Sequence, residues 1–287
     1  MKRYSTIIMV LFFFMGLLVL LYPAISDFHN QKVQSKSIVD YESLLESLDK
    51  NKYDEIFNKA SDYNIRLKNL EEQLYDYKKL TDYNDVLNID GTGMMGYISI
   101  KKIKVELPIY HGTSEQTLSG AVGHLEGTSL PIGGEGTHSV ISAHRGLASS
   151  LLFTNLDKLE IGDTFTITVL DRLFTYEIDK IMIVKPNEVD SLRIEDGSDY
   201  LTLVTCTPYG INTHRLLVRA KRIENAKEKM YVTTEAFKVS TLIVTPMVAL
   251  PIIFIILIII IFKPVEYRLS KIKMKYIYPR GGNQNVK

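Results

Sequence analysis

One thiol stands in 287 residues. Cys206 closes the apolar, β-branched run "TLVTC" (202–206), a Pro/Gly/Asn turn follows, and the next apolar run, "RLLVRA", opens on Arg215. A lone cysteine in that place is either a small buried hydrophobe or a nucleophile whose charge is managed by nearby cations. If the two runs pair as a hairpin, the Arg215 guanidinium lies close to the sulfur. Its fixed fork of N–H groups would there stabilise a carbonyl oxygen gaining negative charge. An edge-strand arginine in a surface ion pair is the plainer reading. A thiol nucleophile also needs a proton partner. Six histidines are available: His29, His111, His124, His138, His144 and His214. His144 ends the run "THSVISAH" just before a turn at Gly146. From a strand end it can share a cleft at one rim with another strand end, although taken alone its plainer reading is structural. His138, six residues earlier, should sit at the opposite rim.

Other chemistries lack their residues. One cysteine and scattered histidines give no CxxC or HxxxH pair for a metal. No G-x-S-x-G elbow marks a serine hydrolase, and no GK[ST] follows the glycines at 133–136 to make a phosphate cradle.

The elements that must position Cys206, His144 and Arg215 are strands. In "TFTITVL" Phe165, Ile167 and Val169 alternate with threonines, and in "LFTYEI" Phe174, Tyr176 and Ile178 alternate with Thr175 and Glu177. Period-two alternation marks half-buried strands. Further strands fit "MGYISI", "VELPIYH", "THSVISAH", "TLVTC" and "RLLVRA". Short strands with Gly/Pro-rich turns predict a mainly β domain over residues 89–223, a closed or nearly closed barrel. Before it, residues 30–88 are polar and carry Leu44, Leu45, Leu48, Tyr63, Leu67, Leu70 and Leu74 at helical spacings. These predict two or three amphipathic helices leading from the membrane to the domain, or equally a solvated stalk.

Charge and hydropathy place the chain. With 34 basic and 33 acidic side chains, it has no basic excess for nucleic acid, and none is expected as a partner. Two stretches are uncharged and long enough to cross a bilayer: 7–25 and 239–262. Ala24 and Ser26 resemble a cleavage site, but the first apolar stretch exceeds a signal-peptide core, which favours an uncleaved anchor. Lys2 and Arg3 precede the first span, and Lys263, Arg268, Lys271, Lys273, Lys275 and Arg280 follow the second. The positive-inside rule then puts both termini in the cytoplasm and the thiol outside, with the lipid bilayer as a partner of the two spans. The expected order is a basic end (1–6), an anchor (7–25), a helical stalk or lid segment (26–88), the β domain (89–223), a linker (224–238), a second span (239–262) and a basic tail (263–287).

"TLVTC" with Arg215 nine residues on, and "SAHRG" upstream, resembles the sortases, membrane-bound cysteine transpeptidases of Gram-positive bacteria. The longer stretches "TCTPYGINTHRLLV", "GYISIKKIKVELPIYHGTSEQTL", "VGHLEGTSLPIGGEGTHSVISAHRGL" and "LFTNLDKLEIGD" are similar to the pilus-assembling class C branch, over residues 63–223. The resemblance implies an eight-stranded sortase barrel between two transmembrane helices. It also implies Cys206 as nucleophile, His144 as general acid/base, Arg215 as oxyanion and substrate-positioning residue, and Thr205 as a further substrate contact. No cofactor and no metal are implied. The implied donors are pilins and surface proteins with an LPxTG-type signal, cut between Thr and Gly through a thioester. The implied acceptor is a lysine of the next pilin. That branch often carries an Asp-Pro-aromatic lid before the barrel. Here "YNIRL" and "DYNDVLN" flank no such triplet, and Asp76-Tyr77 is the nearest substitute.

Two rivals remain. A housekeeping sortase would attach proteins to peptidoglycan, but that branch typically has one amino-terminal anchor. A wall-anchored adhesin or pilin would need its own LPxTG before the carboxy-terminal span, and "SLPIGG" lies mid-domain without the Thr-Gly pair.

Overall fold

The computed structural model describes residues 2–225 and position 253. Apart from Ile253, the expected second span and basic tail lie outside the described residues, as does the linker beyond residue 225. The chain divides into two units, residues 1–21 with 233–287, and residues 22–232. In the first unit the described part is the start of helix α1 (Lys2–Ser47), which runs 46 residues with Pro23 inside it. From Ile7 this helix is long and apolar enough to cross a membrane. The sequence reading ended its first element at residue 25, whereas the helix continues through Pro23 into the polar segment.

In the second unit α1 is followed by α2 (Lys50–Lys68), α3 (Gln73–Asp76) and a 3-10 turn (Tyr77–Lys79). Asp49 caps α2, its carboxylate accepting from the Asn51 N–H at 3.1 Å. These helices are docked, not solvated. Tyr41, Leu45, Tyr63 and Leu67 are buried in the same apolar cluster as the strands, as their i, i+4 spacing allows. The Tyr41 hydroxyl donates to the Met95 carbonyl and accepts from the Leu170 N–H, each at 3.0 Å.

The eight strands are β1 (Met94–Ile100), β2 (Val105–His111), β3 (Val122–His124), β4 (Thr137–Ser142), β5 (Thr164–Val169), β6 (Arg172–Val184), β7 (Asp199–Thr207) and β8 (His214–Ile223). A four-residue helix, α4 (Glu115–Leu118), joins β2 to β3. The strands close into a barrel in the order β1-β2-β3-β4-β7-β8-β6-β5. Closure leaves no unpaired edge. Seven strands match the alternating runs. β3 has three residues, too few to show a period.

Two features of the topology place the site. β4 and β7 are parallel neighbours, with Ser142 opposite Val204, so their carboxy-terminal ends reach the same rim. β8 returns antiparallel to β7 and starts at that rim.

Candidate active site

Cys206 and Arg215 are directly opposed in the β7–β8 ladder. His144 and Cys206 each lie two residues beyond the Ser142–Val204 pair. Successive side chains alternate between faces, so Ser142 and His144, Val204 and Cys206, and Arg215 and Leu217 project on one face. The thiol is half-buried.

The rim is fastened on both sides of the sulfur. The Ala143 N–H donates to the Val204 carbonyl at 3.1 Å, and the Thr205 hydroxyl donates to the Ala143 carbonyl at 2.8 Å. Arg145 donates to the Thr207 hydroxyl at 3.4 Å and to Asp157 at 2.5 Å. Residues 205 and 207 therefore tether β7 to residues 143 and 145, leaving 206 and 144 between the tethers. The Tyr209 ring lies over Gly146, where φ is +76° and an added Cβ would sit 2.9 Å from the ring. Only glycine accommodates both the conformation and the contact.

The polar atoms of the rim are left available. His144 Nε2 is buried without a hydrogen-bond partner, and the nearest carboxylate oxygen, on Glu115, is 3.6 Å away. Arg215 donates to the carbonyls of Asn212 and His214 at 3.3 and 3.2 Å. Among the described residues no carboxylate pairs with it. A cavity of about 280 Å³ runs from Arg215 over Leu118, Val140, Val189, Val204 and Leu217. A half-buried thiol and a histidine at one rim, beside an arginine that lines a largely apolar groove and has donors to spare, can carry out nucleophilic attack on a carbonyl.

Residues 98–223 match the sortase domain family. The chain is 52% identical to the crystal structure of sortase C1 from Streptococcus agalactiae, with a TM-score of 0.63 over 67% of this chain and 100% of that one. It is 42% identical to sortase C of Streptococcus pneumoniae, with a TM-score of 0.61 over 68% of this chain and 100% of that one. The chain belongs to the sortase family. Its similarity to these structures sets it in class C. Among curated relatives, sortase D of Bacillus subtilis (strain 168) is 32% identical over 131 residues, which is 45% of this chain and 63% of that protein.

The remaining expected residues of this sortase fall in different places. Thr205, expected against substrate, is buried with its hydroxyl engaged by Ala143. It faces away from the groove and holds the strand end. Asp76 is paired with Lys79 at 3.0 Å, not with Arg215. The Tyr77 ring lies against Gly127, where an added Cβ would sit 2.9 Å from it. The neighbour that does reach the groove lining is Leu74, which packs against the cluster of Val140, Leu192 and Leu217.

Sequence reading missed two features. Glu115 sits in a helix too short to show periodicity. The other is a polar row on α1. Asn30 donates to the Ser149 carbonyl at 2.7 Å, Gln34 to the Gly120 carbonyl at 2.7 Å, and the Leu151 N–H donates to Asp27 at 2.8 Å. From there the Phe153 N–H reaches the His144 carbonyl at 3.2 Å. The i, i+3, i+7 spacing of 27, 30 and 34 was visible as one helical face, but its partner was not.

Proposed function

We propose that this sortase is a cysteine transpeptidase of pilus assembly, held at the cell membrane by its amino-terminal helix and acting outside the cytoplasm. The convergence of Cys206, His144 and Arg215 on one rim carries the reading. Cys206 attacks the Thr carbonyl of an LPxTG-type signal, with the leucine and proline in the apolar groove. As the C–S bond forms, Arg215 donates to the carbonyl oxygen. Collapse breaks the Thr–Gly C–N bond, and the proton shared by the Cys206–His144 pair goes to the leaving amine. A lysine amine of the next pilin then attacks the thioester, giving an isopeptide bond.

Identity to class C structures favours pilins over peptidoglycan as acceptors. The solved Streptococcus pneumoniae sortase C is described as informing pilin substrate specificity. The basic flanks support a second span at 239–262 and two cytoplasmic termini. The division at residues 26, 89 and 224 is proposed with them.

The test incubates full-length enzyme in detergent with an LPxTG peptide and follows the adduct by mass spectrometry. The wild type should form a hydroxylamine-sensitive thioester that Cys206→Ala lacks. A thioester retained in that variant would remove Cys206 from the mechanism.

A further inference from the structure

A transfer enzyme that holds its donor as a thioester must admit the acceptor by a path the donor does not fill. In this fold α4 separates two such spaces. On one side lies the groove, lined by Thr113, Leu118 and Arg215. On the other is a cavity of about 440 Å³ lined by Ser37, Thr92, Tyr110, Gln116, Thr117 and Ser119. Its walls combine hydroxyls and amides with Val33, Pro108 and Ala121, a mixed surface suited to the aliphatic stem and polar backbone of a lysine.

Glu115 opens α4, the helix that borders both spaces. Its carboxylate is 86% exposed and lies 3.6 Å from His144 Nε2. That separation exceeds a hydrogen bond, so the carboxylate does not occupy His144 and keeps its lone pairs for another donor. Among the described residues it has no lysine or arginine partner. The backbone that carries it is held: Ser114 caps α4 by accepting from the Thr117 N–H at 3.2 Å, and the Leu118 N–H returns to the Ser114 carbonyl at 2.9 Å. An exposed carboxylate beside the proton acceptor, on the short helix that borders both spaces, is a receptor for a primary ammonium.

We infer that Glu115 docks the ammonium of the acceptor lysine and hands it to His144, an inference that rests on the transpeptidase reading above. The docked ammonium first loses one proton to solvent. The amine then attacks the thioester carbonyl, the C–N bond forms and the C–S bond breaks. Sulfur leaves as thiolate while the second nitrogen proton passes to His144. Since the carboxylate attracts the cation and does no covalent work, its contribution falls on acceptor KM.

The experiment uses full-length enzyme in detergent, an LPxTG donor peptide, and two nucleophiles: Nα-acetyl-lysine amide, which is cationic, and hydroxylamine, which is neutral. Thioester formation is recorded before either is added. Glu115→Gln should raise KM for the lysine amide about fivefold, the upper value for an exposed ion pair, and Glu115→Lys should raise it further. The gap between wild type and Glu115→Gln should narrow at high salt, and KM for hydroxylamine should change less than about twofold. Equal losses with both nucleophiles would overturn the inference, since Glu115 would then act through His144. A lysine-amide KM unchanged by Glu115→Gln would overturn it too. Absence of thioester in wild type, before any acceptor is present, would overturn the transpeptidase reading and this inference with it.

Discussion

The groove face of β4, β7 and β8 carries a histidine, a small nucleophile-type residue and an arginine at each end. At one end these are His138, Thr202 and Arg219, and at the other His144, Cys206 and Arg215. Thr202 opposes Arg219 in the same ladder in which Cys206 opposes Arg215. The first set is closed. The His138 Nδ1–H donates to the Arg193 carbonyl and its Nε2 accepts from the Thr202 hydroxyl, both at 2.8 Å. Arg219 is forked onto Asp179 at 2.7 and 3.1 Å, reaches Glu195 at 3.4 Å, and lies 4.1 Å over the Tyr200 ring. Among the described residues the second set has no side-chain hydrogen-bond partner, and Arg215 donates only to the nearby carbonyls of Asn212 and His214. Like residues on like strands thus become structure at one end and chemistry at the other, and what separates them is whether the protein itself satisfies their polar atoms.

Swapping each arginine for lysine breaks the comparison most sharply. Arg215→Lys keeps the charge and loses the planar donor set. We expect kcat/KM for peptide cleavage to fall about 10²–10³-fold, the cost of losing an oxyanion donor, with little change in Tm. Arg219→Lys should do the reverse. It loses a bidentate pair and a ring contact, destabilising the fold by about 1–2 kcal/mol with near-normal turnover. Equal activity losses in the two variants would erase the distinction between the ends.

Two buried histidines, one of them at the closed end, have a pH signature. Burial pushes His138 below its ordinary value, and on the adjacent strand burial pushes His124 down to about 4. The His124 Nε2–H donates to the Ser129 carbonyl at 2.8 Å and Nδ1 faces the Tyr83 hydroxyl at 2.9 Å, an arrangement for a neutral ring. Because both folded values lie below the unfolded one, the unfolded chain binds more protons between them. Stability is therefore complete above about pH 6.5 and is lost as pH falls toward 4. For His124 alone the loss from about pH 7.5 to about pH 5 is about 2 kcal/mol, to be read as a lower urea midpoint. A midpoint that does not move over this range would show that these rings are not held neutral.

How much of this was legible follows from which strands are neighbours in the chain. Cys206 and Arg215 were readable because β7 and β8 form one hairpin, and a two-residue period on each side of the turn sets their register. His144 was placed at a strand end, but its approach to Cys206 depends on the parallel β4–β7 pairing, made across two intervening strands, and no local pattern encodes that. The closure of His138 was equally hidden: its partner Arg193 acts through a backbone carbonyl, which carries no side-chain signal. β6 was only half read. Its second half, Asp179–Val184, is mostly exposed, so burial gives it no clean alternation. The family resemblance implies Thr205 as a contact of substrate, yet alternation alone turns it to the face away from Cys206.

The smallest effect expected is at the segment before the barrel, which tests whether the open end is covered. Glu72 pairs with Arg193 at 2.9 Å and Asp76 with Lys79 at 3.0 Å, all on partly exposed side chains. Such pairs are worth no more than about 1 kcal/mol each. Tyr77 rests on Gly127, and Cys206 is only partly buried. Nothing in the Asp76–Tyr77 pair therefore holds a closed state strongly, and a closed fraction slows reaction only in proportion to the open population it removes. Cys206 should react readily with a small thiol reagent in the unliganded enzyme, and Asp76→Ala combined with Tyr77→Ala should accelerate labelling by less than about tenfold. Leu74 is the side chain from this segment that packs with the groove lining, so Leu74→Ala should accelerate labelling more than the double variant does. The opposite ranking would make Asp76 and Tyr77 the lock on the cleft, and would move the boundary between the satisfied and unsatisfied ends into the helical segment.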